Sequence, residues 1–314
     1  MTAGPRVLVL GAGSAGARHA RLLAGAGASV VVTDPQADRA AGLGLETMTF
    51  DLNRLDGFDG IVVASPSVAH AEQTLAALAS GARVLVEKPL ATKSADLDAI
   101  LQSSDGRVMV GYNLRLHEPV ERFVGLVDEG VAGRLSAVRL WFGSWLPDWR
   151  PEVDYRQTYS ARADLGGGIL DDAIHELDLL VWLLGTDISV AGAVVDRLGP
   201  LDIDVEDTVK AVLRGADGVA AEVSLDYLSR RYRRGMEAIG DRATVRLDWA
   251  RSALEVETAD ELRTETVDAP VALSYQRQAE RFLAFVAGDA APPVDAVTGA
   301  ASVRLAAAIR SAAR

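Results

Sequence analysis

Arg6-Val7-Leu8-Val9-Leu10 runs directly into Gly11-Ala12-Gly13-Ser14-Ala15-Gly16, an apolar strand followed by G-x-G-x-x-G spacing at the opening of a helix. A second apolar run, Ser29-Val30-Val31-Val32-Thr33, follows that helix and ends on Asp34. Strand, glycine turn, helix and a second strand closing on an acid form the dinucleotide-binding βαβ unit. Gly11 permits the tight turn, Gly13 lets backbone approach a pyrophosphate, and Gly16 lets the helix pack closely on the strand. The helix start at Ser14 and Ala15 supplies unpaired N–H donors and a positive dipole end. Asp34 suits the adenosine ribose hydroxyls and repels a 2′-phosphate, which favours NAD over NADP. Arg39 is the one nearby feature that would suit a phosphate.

Strand and helix patterns keep alternating outward from this unit. Short apolar runs at 46–49, 60–64, 83–86 and 107–110 are separated by helix patterns, clearest at 68–80 and 94–103. They predict an α/β fold, a Rossmann-type doubly wound parallel sheet, with residues 1–116 as the NAD-binding domain. Residues 117–314 read as a second, α+β domain for substrate binding and oligomerisation. It comprises a helix at 118–129, a strand at 135–144, an aromatic segment at 145–164, and Gly166-Gly167-Gly168 followed by one apolar-rich helix through Leu184. From 188 to about 267 the pattern is consecutive strands, broken at Gly199-Pro200, 215–218, Gly240-Asp241 and Ala259-Asp260. Helices at 274–287 and 295–313 close a domain whose sheet is mostly antiparallel.

The chain of 314 residues is nearly half apolar and carries a net charge of −12. That field repels nucleic-acid phosphates and anionic membranes, so the expected partner is a small molecule; an anionic substrate would need local Lys or Arg. No cysteine is present, which excludes disulfides, thiolate zinc sites and cysteine nucleophiles. The residues before the first strand lack the charged and apolar regions of a secretory signal, and the cytoplasm is the expected compartment.

Glu87-Lys88-Pro89 stands at the end of the fifth strand, where open parallel sheets bind ligands, so the Lys88 ammonium points at the expected nicotinamide and substrate region. Ser65-Pro66-Ser67 follows the fourth strand, with Ser67 as the expected cap of the next helix and His70 on its first turn. His19 and His70 read as helix-terminus packing residues. Asp171, His175 and Asp178 fall at i, i+4 and i+7 of the helix after the triple glycine, so their side chains share one face, and Asp172 is also within reach of His175. A histidine beside carboxylates at the edge of a buried face suits a general base. The four histidines show no metal-ligand spacing, and no metal is expected. Asn113 and Arg115 leave the sixth strand on the side of Lys88. Trp149, Arg150, Tyr155, Arg156 and Tyr159 suit a polar ring bearing hydroxyls or a carboxylate.

Taken in order, Gly11-x-Gly13-x-x-Gly16, Ser65-Pro66 with His70, Glu87-Lys88-Pro89, Gly111-Tyr112-Asn113-x-Arg115 and the triple glycine followed by Asp171, His175 and Asp178 resemble the Gfo/Idh/MocA family. The resemblance implies a Rossmann domain and a second domain with a large open sheet, through which homodimers or tetramers form. It implies cofactor contacts at Ser65, Pro66, His70, Glu87 and Lys88, with Lys88 as catalytic lysine and His175 as acid or base. The acid one helical turn ahead of His175 would be the third member: Asp172 by its distance from the triple glycine, Asp171 by helix facing. Ser65-Pro66 stands where relatives often have Thr-Pro. The run 146–156 looks like a branch associated with bacterial surface sugars and nucleotide sugars. The expected activity is NAD-dependent hydride transfer at a hydroxyl-bearing carbon of a sugar, inositol or derivative. The alternatives are transient use of tightly bound NAD for elimination, epimerisation or glycoside cleavage, and a dinucleotide-responsive regulator.

Overall fold

The computed structural model describes residues 4–313. The chain divides into two compact units, one formed by the chain up to Leu116 together with Val271–Val303, the other by His117–Pro270 together with the chain from Arg304 onward.

In the first unit β1 (Arg6–Leu10), β2 (Ser29–Thr33), β3 (Glu46–Thr47), β4 (Gly60–Val63), β5 (Arg83–Val86) and β6 (Val108–Val110) pair in parallel, in the order β3-β2-β1-β4-β5-β6. Helices α1 (Ser14–Gly25), α2 (Ala37–Ala41), α3 (His70–Ala79) and α4 (Ser94–Ser104) connect them. The central strands read as unbroken apolar runs because both faces are covered: Val7 to Leu10, Ile61 to Val63 and Val84 to Val86 are all fully buried. Each such side chain contributes roughly 1.5–3 kcal/mol of transfer free energy. Ser67 does not cap α3. A 3-10 turn, Ser67–Ala69, precedes the helix, and neither element has a side-chain cap.

The second unit opens with α5 (Glu118–Asp128) and β7 (Leu135–Gly143). A run of 3-10 turns spans 146–165, and the triple glycine leads into α6 (Ile169–Asp172) and α7 (Ile174–Leu184). Strands β8 (Ile188–Asp196), β9 (Thr208–Gly215), β10 (Ala220–Asp226), β11 (Arg233–Gly240), β12 (Thr244–Asp248), β13 (Ala253–Glu257) and β14 (Leu262–Thr266) complete an eight-stranded sheet, ordered β14-β13-β12-β11-β7-β10-β9-β8. Among the described strands of this sheet, β7 and β10 pair in parallel and the other neighbours antiparallel. Along β9, Val209, Ala211 and Leu213 are buried while Lys210, Val212 and Arg214 are exposed, so one face is covered and the other open. The single helix expected after the triple glycine is two, broken at Ala173. Asp171 and Asp172, on the N-terminal side of the break, are tied to partners in different elements, so helical periodicity does not set the relation of Asp171 to His175. Gly168 has φ 115°, and a Cβ there would fall 2.6 Å from the Glu206 carboxylate.

Helix α8 (Val271–Ala287) returns to the first unit, where Ala279, Phe282, Phe285 and Val286 join the core formed by β1, β2, β4 and α1. A Cβ on Gly60 would meet Val286 at 2.8 Å and Phe282 at 3.0 Å, so this glycine on β4 makes room for α8. Helix α9 (Ala296–Ala312) passes from the residues of one unit to those of the other. The division therefore differs from one cut after residue 116: residues 271–303 pack with the Rossmann sheet because their aromatic side chains find its apolar face.

Candidate active site

The cofactor side of the first unit is built on the β1–α1 turn. Gly11 has φ 99°, and a Cβ on it would overlap the Ala64 carbonyl oxygen at 2.7 Å; a Cβ on Gly16 would lie 1.9 Å from the Gly11 carbonyl oxygen. Gly13 is exposed and a Cβ there meets nothing, so backbone stands open at that point. Helix α1 starts after Gly13 with no side-chain cap and no acid in its first turn. An uncapped N-terminus behind an open glycine fits the pyrophosphate of a dinucleotide. At the end of β2, Asp34 accepts the Ala12 N–H at 2.8 Å and the Gln36 N–H at 2.8 Å, which fixes its carboxylate beside the glycine turn.

Lys88 follows β5 directly, and the Lys88–Pro89 peptide is cis. Its neighbour Glu87 accepts from His19 Nε2 on α1 at 2.7 Å, with the Arg18 guanidinium at 3.7 Å. Burial alone would raise the Glu87 carboxyl, but the His19 hydrogen bond and charge, with Arg18 and Lys88, outweigh it and hold it down at about 2. The residue before Lys88 is therefore a fixed anion anchored to α1. His70 is fully buried, and burial lowers its pKa; its two ring nitrogens face the Pro89 and Ser65 carbonyl oxygens at 2.7 and 3.0 Å. A neutral ring donates to only one of these, so His70 links the segments leaving β4 and β5. With 1% exposure it has no surface for a cofactor. Ser65 is half-buried and donates to Gln73, while Pro66 is exposed. Asn113, 2% exposed, donates to Ser274 on α8 and is a packing residue. Arg115 is half-buried.

In the second unit His175 is half-buried on the first turn of α7, and Asp178 is buried. Asp171 pairs with Arg310 of α9 at 2.6 Å, and Arg310 also reaches Glu206 at 3.2 Å. Asp172 is buried and accepts the hydroxyls of Tyr159 and Tyr227. Burial, together with the Asp172 charge, raises both phenols well above their ordinary range, so they remain donors. Tyr159, expected on the substrate, thus spends its hydroxyl on Asp172. Trp149, Arg150 and Tyr155 do come together, around a hollow also lined by Leu146, Thr158 and Ser160. Arg156 is exposed and held in a forked pair by Asp154.

Two groups escaped the reading of the sequence. His19, a packing residue by its sequence position, lies three residues after Gly16 and is fully buried, with its Nε2 on the Glu87 carboxylate. The second group is Arg230-Arg231-Tyr232-Arg233-Arg234, a basic run visible in an acidic chain. Arg233 pairs with Asp226 at 2.7 Å, and the half-buried Arg234 pairs with Glu176, the neighbour of His175, at 2.6 Å. Among the described residues no cluster of acids and histidines could hold a metal ion, and no helix is long and apolar enough to cross a membrane.

A Rossmann sheet with an open glycine turn, and a lysine at the carboxyl end of its fifth strand, define a dinucleotide-dependent oxidoreductase. The chain belongs to the Gfo/Idh/MocA family: residues 5–112 match the oxidoreductase family with an NAD-binding Rossmann fold, and residues 120–246 match the GFO/IDH/MocA C-terminal domain. Inositol 2-dehydrogenase 3 of Saccharopolyspora erythraea is 32% identical over 267 residues, covering 79% of this chain and 75% of that protein. A 3-ketoreductase from Actinomadura kijaniata, solved with NADP and TDP-benzene, is 25% identical, with a TM-score of 0.82 over 99% of this chain and 98% of that one. Levoglucosan dehydrogenase, solved with NADH, shares the fold at 22% identity, with a TM-score of 0.85 over 99% of this chain and 97% of that one.

Proposed function

We propose that the chain transfers a hydride between NAD and a hydroxyl-bearing carbon of a sugar, inositol or sugar derivative. One observation carries the reading: Lys88 leaves the carboxyl end of β5 beside a Glu87 carboxylate locked to α1, in the sheet whose first turn is open for a pyrophosphate. NAD supplies the hydride acceptor or donor. Lys88 Nζ hydrogen-bonds the reacting hydroxyl, and the His175 imidazole takes or returns its proton. Asp171, held by Arg310, and Asp172, held by two phenols, fix the turn from which His175 projects. Trp149, Arg150 and Tyr155 line the hollow that contacts substrate. The sugar-like class is supported by relatives named inositol 2-dehydrogenase, 1,5-anhydro-D-fructose reductase and dTDP-3,4-didehydro-2,6-dideoxy-alpha-D-glucose 3-reductase. A soluble dinucleotide as cofactor suits a cytoplasmic enzyme.

The open face of the second unit's sheet supports a homodimer or homotetramer. Exposed Val194 and Val212 lie on it beside a ladder of ion pairs.

The test is Lys88→Met. With a substrate found by screening inositols, anhydrosugars and sugar nucleotides for NADH formation, kcat falls by about 100-fold or more while NADH affinity, measured by fluorescence titration, stays within about twofold. Turnover equal to that of the parent protein removes Lys88 from the chemistry.

A further inference from the structure

The basic run at 230–234 sits in a chain whose net charge is −12. Two of its arginines are already paired: Arg233 with Asp226 at 2.7 Å and Arg234 with Glu176 at 2.6 Å. Arg230 and Arg231 are exposed, as is Arg150, and among the described residues none of the three has a carboxylate within ion-pair distance. Their positive charge is left over from the fold's own pairing.

Arg230 is also preorganised. Its guanidinium lies 3.5 Å over the Trp145 ring, which covers one face of the cation and leaves its N–H edges outward. Trp145 and Arg150 flank the same 3-10 turn, Leu146–Trp149. Edge-to-face aromatic contacts join that turn and β7 to the basic loop: Trp149 with Tyr227, centroids 5.3 Å apart, and Phe142 with Tyr232, 6.1 Å apart. Tyr227 donates to Asp172, three residues before His175, so the arginines border the same end of the sheet as the α6–α7 turn. Planar guanidinium forks match the two oxygens of a phosphate or carboxylate and gain nothing comparable from neutral hydroxyls. In a field that otherwise repels anions, a local cluster of arginines also raises the encounter rate of an anionic ligand.

We propose that Arg230 and Arg231, with Arg150, form an oxyanion-recognising rim, and that the substrate bears a phosphate or carboxylate group besides the hydroxyl that reacts. This rests on the sugar-dehydrogenase reading and narrows it to anionic sugars. Calorimetric titration of NAD-saturated protein with UDP-glucose, D-glucuronate and D-glucose tests it, because binding needs no turnover. One or both anions bind roughly tenfold or more tightly than glucose; that advantage is lost in Arg230→Ala/Arg231→Ala and largely kept in Arg230→Lys/Arg231→Lys. Tight UDP-glucose assigns the rim to a diphosphate, and tight glucuronate alone assigns it to a carboxylate. Thermal melting confirms that both variants are folded. No anion binding more tightly than glucose, or an advantage unchanged in the alanine variant, overturns the inference. A rim that binds anions in a protein that never reduces NAD with them would sink the redox reading alone. Turnover of neutral sugars indifferent to the arginines would sink the rim alone.

Discussion

The Asp34 carboxylate braces the glycine turn and, in the proposed reading, also faces the adenosine ribose. It accepts the Ala12 and Gln36 N–H groups, and each oxygen keeps a second lone pair for a ribose hydroxyl. Asp34→Ala removes the ribose acceptor, the charge that opposes a 2′-phosphate, and the brace on the glycine turn. Hydrogen bonds to a charged group contribute about 1.5–3 kcal/mol, so NADH affinity should fall by about tenfold or more while NADPH affinity falls less. Fluorescence titration with both nucleotides checks this, and an unchanged NADH to NADPH ratio would show that Asp34 does not face the ribose. The ribose contact is the expectation the sequence supports, because the acid's distance from the glycines is a feature of the dinucleotide-binding unit. The bond to Ala12, 22 residues away, was not legible there. The same limit explains Asn113 and Tyr159: residue type and position marked them as polar groups near the site, but Ser274 and Asp172, which take their donors, are distant in sequence.

At the level of elements, the tie between α1 and the end of β5 is the feature periodicity could not supply. His19 is fully buried, and Glu87 beside it is held at about 2 instead of 4.5. A depressed carboxyl contributes stability that is fully present above its ordinary value and is lost as pH falls from 4.5 through 2. Urea unfolding should therefore show the parent protein ahead of Glu87→Gln by a margin on the order of 3 kcal/mol at neutral pH, closing across that acid window. A margin independent of pH would mean that Glu87 packs without being charged. The strands of both sheets were legible because alternation and apolar runs are local properties. The break between α6 and α7 was not: Leu170, Ile174, Leu177 and Val181 keep an apolar arc across Ala173, while Tyr159, Tyr227 and Arg310 pull the two acids onto separate anchors.

For the whole molecule, the sequence told what α8 is but not where it goes. Its amphipathic pattern is local, whereas the apolar face that receives Phe282 and Phe285 is built by strands more than two hundred residues earlier. The open sheet face raises a question of the same kind, since Arg139, Lys210, Val212, Arg214 and Glu222 all stand exposed on it. Across it run the pairs Glu222–Arg139–Glu237–Arg246–Glu255, and Glu237 is 4% exposed although it stands on the open side. Alternating charges flanked by Val194 at 40% and Val212 at 55% exposure can meet a two-fold-related copy with each acid opposite a base. A stable interface of this kind covers about 1,200–2,000 Å². Sedimentation velocity at micromolar concentration should then show a dimer or tetramer. Val212→Glu places an unpaired charge in that contact and should shift the boundary to monomer, with the far-ultraviolet dichroism unchanged. A parent protein that already sediments as a monomer would mean that the face is built for solvent, and that the ion-pair ladder alone keeps its apolar residues from association.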